Sequence, residues 1–338
     1  MACIYKRGRR YYLDYRANGR RIRKSVGTNK KLAELALKEL EVQLHKGILP
    51  EALPKTEISK FIDEFLASCK ATVRPETYRK YSIVLSQFLE FLKNSPFVRL
   101  VQHIQTYHIE KYKVERLGKR KPSTVNSDIK CFNTFFNYAK RLGYIAENPV
   151  KDVKRVKVPQ QRPRFFSKDE LKRFFEACSE FDYALFSTLL YTGMRKGELR
   201  NLEWEDVDFE RRIITIRVKD EWEPKGRQAR EIPIHDKIFP VLQRHKEVNG
   251  TCRWVFSRKD GSQIVGIYRR FQEIARKAGM DKAKVHTFRH TFASYMVMSG
   301  VDLPTVQKLL GHKDITTTMI YAHLAPEHLK SAVSKLEI

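Results

Sequence analysis

Two proline-bearing stretches, "GILPEALPKTE" (47–57) and "KDVKRVKVPQQRPR" (151–164), constrain this chain more than any other feature. Proline lacks a backbone N–H and pushes the residue before it out of the helical region, so neither stretch can continue a helix or sit inside a sheet. The 338 residues therefore fall into three lengths, 1–50, 56–150 and 165–338, joined by a basic linker at 151–164. Each length has to build its own core, and a hydrophobic content of 42% allows it. The expected fold class is multidomain, mainly α with small β-sheets.

The middle length has helical periodicity throughout. "EISKFIDEFLASC" sets Ile58, Phe61, Ile62, Phe65 and Leu66 at three- and four-residue spacing. "PETYRKYSIVLSQFLEFLK" opens on Pro75 and repeats the pattern with Tyr78, Tyr81, Leu85, Phe88, Leu89 and Leu92. "QTYHIEKYKVERL" is shorter, and "KPSTVNSDIKCFNTFFNYAKRLG" runs from Pro122-Ser123 to Gly143. Residues 56–150 are thus expected as an all-helical unit whose aromatic stripes form its core.

The first length reads differently. "YYLDYR" and "RRIRKSVG" flank Asn18-Gly19, a hairpin signal, so a small antiparallel sheet is expected. After Thr28, a candidate cap, "KKLAELALKELEVQLHKG" lines up Ala33, Leu37, Leu40 and Leu44 on one helical face. The last length is mixed. Ser167 and Glu170 have capping-box spacing, and two helices are expected to break near Thr192-Gly193. "RRIITIRV" and "AREIPI" read as strands around the hairpin tip "KDEWEPKGRQ". Residues 265–338 read as helical, with stops at Gly279, Gly300 and Gly311.

Charge narrows the partner. Lys and Arg number 66 against 39 Asp and Glu, a net charge of +27, which favours a polyanion. Residues 1–31 hold eleven of these cations and a single acid, Asp14. Arg7, Arg9, Arg10, Arg20, Arg21, Arg23 and Lys24 on the sheet are candidate DNA contacts. So are Lys119, Arg120 and Lys121 between two helices, and Arg155, Arg162 and Arg164 in the linker. A basic linker between basic domains suggests a clamp around a duplex. The five cysteines are scattered without a C-x-x-C pair, which argues against a zinc module and a secreted disulfide framework. "MACIYKRGRR" has no apolar signal region and no apolar run nears the ~18 residues of a membrane span, so a cytoplasmic, nucleoid-associated protein is expected.

Arg195, Lys225, His286, Arg289 and His312 lie in the last length, followed by Tyr321. A phosphodiester transition state gathers negative charge on its nonbridging oxygens, which two arginine forks match. Histidines can donate there or move a proton, and a lysine on a hairpin can protonate the leaving oxygen. A tyrosine hydroxyl can attack and keep the phosphate as an ester. A free phenol has a pKa of about 10, so only ~0.1% is ionised at pH 7, a deficit of roughly 4 kcal/mol that a base and nearby cations would offset. The set needs no metal or cofactor, and no carboxylate cluster of the two-metal kind is present. Glu198, three residues after Arg195, can hold it by a salt bridge.

"TGMRKGELRNLEWEDVDF", "PKGRQAREIPI", "HTFRHTFAS" and "LLGHKDITTTMIYAHL" closely resemble, in order, the four motif regions of the tyrosine recombinase (phage integrase) family. "TVNSDIKCFNTFFNYAKRLGYIAENPV" is similar to the last helix of that family's core-binding domain. The basic N-terminal sheet and helix resemble its arm-binding domain. The resemblance implies that Tyr321 is the nucleophile and that Arg195 and Arg289 bind the phosphate. It implies that His312 assists at the scissile phosphate, that His286 is the proton acceptor, and that Lys225 is the general acid, with Lys219 on the same hairpin as the alternative. His290 and His323 are left as structural. The resemblance further implies a 3′-phosphotyrosyl intermediate, a Holliday junction, and a homotetramer acting on double-stranded DNA at core and arm sites, with room for accessory DNA-bending or directionality proteins. A type IB topoisomerase shares the chemistry, but the N-terminal domains argue against it. In the tail "PEHLKSAVSKLEI", Leu329, Ala332, Val333 and Leu336 form an apolar stripe that can dock on a neighbouring protomer or on its own domain.

Overall fold

The computed structural model describes residues 2–17, 20–45, 55–95, 98–159, 162–219, 222–224, 229–280 and 283–325. The chain forms two compact units, 1–159 and 160–338. No described helix is long and apolar enough to cross a membrane.

Unit one begins with an antiparallel meander of β1 (Cys3–Arg7), β2 (Arg10–Ala17) and β3 (Arg20–Gly27). Ala17 pairs with Arg20, which leaves the hairpin residues Asn18 and Gly19, themselves outside the described residues, as the connection. Leu13 and Tyr15 of β2 bury against Leu40 of α1 (Lys30–His45), with Leu37 packed beside them, and Ala33 of α1 is also buried. The Leu44 side chain lies outside the described residues. The cap of α1 is Asn29, not Thr28. Its side-chain oxygen accepts from Lys31 N at 2.9 Å, the reach an N-cap residue needs to satisfy an otherwise orphaned donor. On the sheet, Arg21 and Arg23 converge on buried Asp14, at 2.7 and 3.2 Å, while Arg7, Arg9, Arg10 and Lys24 stay exposed.

Four helices follow: α2 (Ile58–Thr72), α3 (Pro75–Leu92), α4 (Thr106–Leu117) and α5 (Pro122–Arg141). Both α3 and α5 open on proline, where the missing N–H costs nothing, after extended Arg74 and Lys121. Their core is aromatic. Phe88 and Phe132 sit 4.5 Å apart, Phe132 and Tyr112 5.1 Å, and Phe65 meets Phe135 edge-on at 5.3 Å. The basic stretch expected as a linker is partly fastened to this bundle. Val150 and Val153 are buried in its core, and the Asn126 amide bonds both the N and O of Val156 at 2.8 Å.

Unit two contains α6 (Lys168–Glu176), α7 (Glu180–Thr192) and α8 (Lys196–Arg200), then the sheet of β4 (Val207–Asp208), β5 (Ile213–Ile216) and β6 (Arg230–Pro233). α9 (Phe239–Asn249), α10 (Ile267–Lys277), α11 (Thr287–Met298) and α12 (Leu303–Leu310) complete it. The capping box forms as its spacing implies, with Ser167 and Glu170 exchanging bonds of 2.9 and 3.1 Å. Phe288 of α11 meets Phe166, Phe174 and Phe186 at 5.1–5.6 Å, which locks α11 beside α7. After α12 the described residues do not resume an α-helix. They make two 3₁₀ turns, Ile315–Thr317 and Met319–Leu324. The apolar stripe from Leu329 to Leu336 lies outside the described residues.

Phe132 is fully buried between Phe88 and Tyr112. Phe132→Ala should destabilise the chain by about 3–5 kcal/mol, the usual range for deleting a core ring. Urea unfolding followed by far-UV circular dichroism checks it, and a loss below about 1 kcal/mol would contradict this packing.

Candidate active site

The site is built on the ends of α7 and α12. α7 stops at Gly193, with φ +61°, and α12 stops at Gly311, with φ +65°. A side chain at Gly193 would put its Cβ 2.4 Å from Phe292 Cδ1, and one at Gly311 would meet Arg230 at 2.9 Å, so glycine is required by space as well as by φ. His312 N returns to Gln307 O at 3.2 Å and Gly311 N to Lys308 O at 3.0 Å.

The next three carbonyls take arginines. Arg230 Nε donates to Leu309 O at 2.9 Å, Arg289 Nη2 to Leu310 O at 2.7 Å, and Arg195 Nη2 to Gly311 O at 3.3 Å. Arg289 also donates to Gly193 O at 2.8 Å and is only 2% exposed. Burial, then the Arg195 charge, pushes it down to about 9, still protonated at neutral pH. Each guanidinium has five donors, so Arg195 and Arg289 keep N–H groups for a ligand.

Glu198 is the counter-ion. It accepts Arg195 N and Nη1 at 2.8 Å each and Arg230 Nη2 at 2.6 Å. Burial alone would raise this carboxyl, but the Arg230 bond and charge, with help from Arg195, hold it below the usual range. The expected Arg195–Glu198 pair is therefore part of a buried Arg–Glu–Arg triad. Arg230 was not expected in it, because its place depends on β6 meeting the end of α12.

Arg195, His286, Arg289 and His312 line one cleft with Tyr268, Lys284 and Thr317. His312 Nδ1 lies 2.8 Å from Thr318 Oγ1. Burial, then the charges of Arg289, Arg195 and Arg230, pushes His312 down to about 4, so it is neutral at pH 7. Tyr321 is 2% exposed, and burial pushes its phenol up to about 12. Its Oη is 2.6 Å from Nδ1 of His290, which the sequence reading left as structural. The available signal was spacing: His286 and His290 are one helical turn apart, and their rings meet edge-on at 4.8 Å.

Lys225 lies outside the described residues. The alternative, Lys219, is 12% exposed and tied up elsewhere. It bonds Asp206 at 2.5 Å, Glu203 at 2.9 Å and Asn201 O at 2.8 Å. Of the basic candidates elsewhere, Arg164 is held by Glu170 at 2.6 Å and Lys119 by Glu115 at 2.7 Å, whereas Arg120, Lys121, Arg155 and Arg162 are exposed.

The chain matches the phage integrase family over residues 164–328, the phage integrase SAM-like domain over 57–157 and the phage integrase N-terminal domain over 3–40. A tyrosine recombinase of Thermosipho africanus is 32% identical over 222 residues, which cover 63% of this chain and 76% of that protein. This chain belongs to the tyrosine recombinase family. It is a site-specific DNA recombinase that acts by transesterification. The ICEBs1 integrase of Bacillus subtilis is 25% identical, with 88% of each chain covered. Among solved structures, the Tn1549 transposon integrase in complex with a circular intermediate DNA aligns with a TM-score of 0.68 at 18% identity, covering 84% of this chain and 100% of that one. A lambda integrase dimer bound to a core site gives 0.66 at 17%, covering 94% and 93%. At these identities the two structures establish the recombinase fold.

His312 carries a stability consequence. An unfolded histidine titrates near 6.5 and the folded one near 4, so between those values the unfolded chain binds a proton that the folded chain refuses. Stability should therefore fall as pH drops from about 6.5 towards 4 and be unaffected by this group above about 7. His290 and His245, both lowered by burial, act in the same direction. Thermal melts of His312→Gln should lose less between pH 7 and pH 5 than those of the unmodified chain, and an equal drop would contradict the assignment.

Proposed function

We propose that Tyr321 is the nucleophile of a recombinase that integrates or excises a mobile element, and that the Arg195–Arg289–His312 cleft holds the scissile phosphate. The reading rests above all on one observation: these three groups face a single cleft, and the charge of one of them, Arg289, reaches the buried Tyr321 hydroxyl. Tyr321 Oη attacks phosphorus, the P–O5′ bond breaks, and the departing 5′-oxygen takes a proton from a general acid, for which Lys225 is the candidate. The phosphate remains esterified to the tyrosine through the 3′ end. A 5′-hydroxyl from a partner strand then reverses the step, so no outside energy source is required.

The remaining donors of Arg195 and Arg289 suit the two nonbridging oxygens, and neutral His312 can donate through its second ring nitrogen. His286, exposed in the cleft, can exchange protons with solvent. The N-terminal sheet, with Arg7, Arg9, Arg10, Arg21, Arg23 and Lys24 on it, is read as the arm-site binder. The 119–121 loop and the basic residues after α5 are read as contacts to the core-site backbone. Lambda integrase is known as a dimer on a core site and as a tetramer on a Holliday junction, and the same assembly on double-stranded DNA is proposed for this chain.

Sequencing the DNA covalently retained by the protein in cells identifies its core site. A nicked suicide duplex of that sequence should trap the unmodified chain as an adduct that migrates more slowly in denaturing gels, and Tyr321→Phe should abolish it. An adduct with Tyr321→Phe would refute the nucleophile assignment. Removing residues 1–50 should leave core-site cleavage within about threefold while weakening assembly on the full attachment site at least tenfold in mobility-shift titrations. Equal assembly by the shortened chain would remove the arm-binding role.

A further inference from the structure

Tyr321 is the group in this site least suited to its task. It is buried, its phenol is pushed up to about 12, and it has to lose a proton to attack. His286 is exposed in the cleft, and the imidazole on the phenol is a different one. His290 Nδ1 stands 2.6 Å from Tyr321 Oη, a short hydrogen bond between neutral groups.

We propose that His290 is a catalytic residue of this recombinase: it receives the Tyr321 phenol proton on Nδ1 during attack and passes it to the cleft through the His286 ring. The inference rests on the proposed role of Tyr321. Three observations support it. The first is contact with the reacting atom itself, which meets the geometric requirement for a general base. The second is the route. His286 and His290 lie on successive turns at the start of α11, their rings are 4.8 Å apart at 86°, and His286 opens into the cleft. The third is electrostatic. Burial, then the charge of Arg289 beside it in the chain, disfavours a proton on His290. A phosphate docked on Arg289 cancels part of that field, so the basicity of His290 rises when substrate is bound. Among the described residues, Arg289 acts on His290 by its charge, His286 meets its ring and Tyr321 bonds its Nδ1.

The step balances. The Tyr321 O–H bond breaks and its proton moves to His290 Nδ1, whose ring proton sits on Nε2. The Oη–P bond forms as P–O5′ breaks, and O5′ takes its proton from the general acid. In the reverse half-reaction the 5′-hydroxyl returns its proton to that acid, His290 regains a proton from the cleft through His286, and the tyrosine oxygen recovers one from His290 Nδ1.

The test compares single-turnover cleavage of the nicked suicide duplex by His290→Asn and His290→Ala with that by the unmodified chain. The Asn side-chain oxygen can still accept a hydrogen bond from the phenol, but an amide cannot take the proton. Both variants should lose about 10²–10⁴-fold in rate, the range of a general base. Added imidazole should restore at least tenfold to His290→Ala only. Mobility-shift affinity for the duplex and the melting temperature serve as folding controls. A His290→Asn rate within about threefold of the unmodified chain would overturn the proposal and leave His290 as a positioning residue. If both variants are slow with weakened DNA binding and no imidazole rescue, the role is structural and the proposal also falls. Failure of the unmodified chain to form any Tyr321-dependent adduct would instead overturn the nucleophile assignment on which this rests.

Discussion

Three consecutive carbonyls at the end of one helix organise the catalytic unit. A helix leaves its last four C=O groups without intrahelical partners, and they carry the negative end of the dipole. In α12 the Gly311 turn satisfies Gln307 and Lys308 from its own backbone, which leaves Leu309, Leu310 and Gly311 for three guanidinium groups. The arginines come from β6, from α11 and from the turn between α7 and α8, so one helix end ties together parts of the chain more than a hundred residues apart. Hydrogen bonds to charged groups contribute roughly 1.5–3 kcal/mol each, and losing one strands both a carbonyl and a cation. Guanidinium groups held this way are fixed in place in advance, as the proposed electrostatic role requires.

Holding three arginines together is electrostatically costly, and Glu198 meets only part of the cost. One carboxylate faces Arg195 and Arg230 directly, and Arg289 is left with backbone dipoles. The residual positive field is felt by every titratable neighbour. Together with burial, it moves Arg289 down to about 9 and His312 to about 4. Burial first, and the same field second, keep His312 and His290 less basic than a free imidazole. Tyr321 shows the balance from the other side. Arg289 favours its phenolate, yet burial dominates and the phenol stays protonated.

Periodicity made the cores legible. Phe61, Phe65, Phe88 and Leu92 are buried where their spacing put them, and the breaks at Gly193 and Gly311 fall at left-handed turns that glycine marks. The cleft residues were legible because motif residues keep their chemistry and their order. What stayed hidden depended on pairings that no local pattern encodes. Arg230 became part of the triad through strand placement, and His290 found a partner 31 residues away. Asn29 displaced Thr28 as the cap by one residue of backbone geometry. The stretch after Val150 reads as a linker from its prolines and charge, but two valines and one asparagine fasten it to the bundle. α9 carries only Leu242 and His245 into the core, a stripe too sparse to announce a helix.

The segment from His312 to Tyr321 joins the cleft to the proposed nucleophile through one residue. Thr318 is wholly buried. Its hydroxyl meets His312 Nδ1, and its carbonyl accepts Tyr321 N at 3.0 Å. These are 3₁₀ turns, whose hydrogen bonds are less well aligned than those of an α-helix and which rise ~2 Å per residue. The three threonines add little helix propensity of their own. Moving this tyrosine therefore breaks few strong backbone bonds, but any shift that carries Thr318 along also alters what holds His312. The placement of Tyr321 and the orientation of His312 are thus set together. A change at Thr318, which touches no DNA in this account, acts on both.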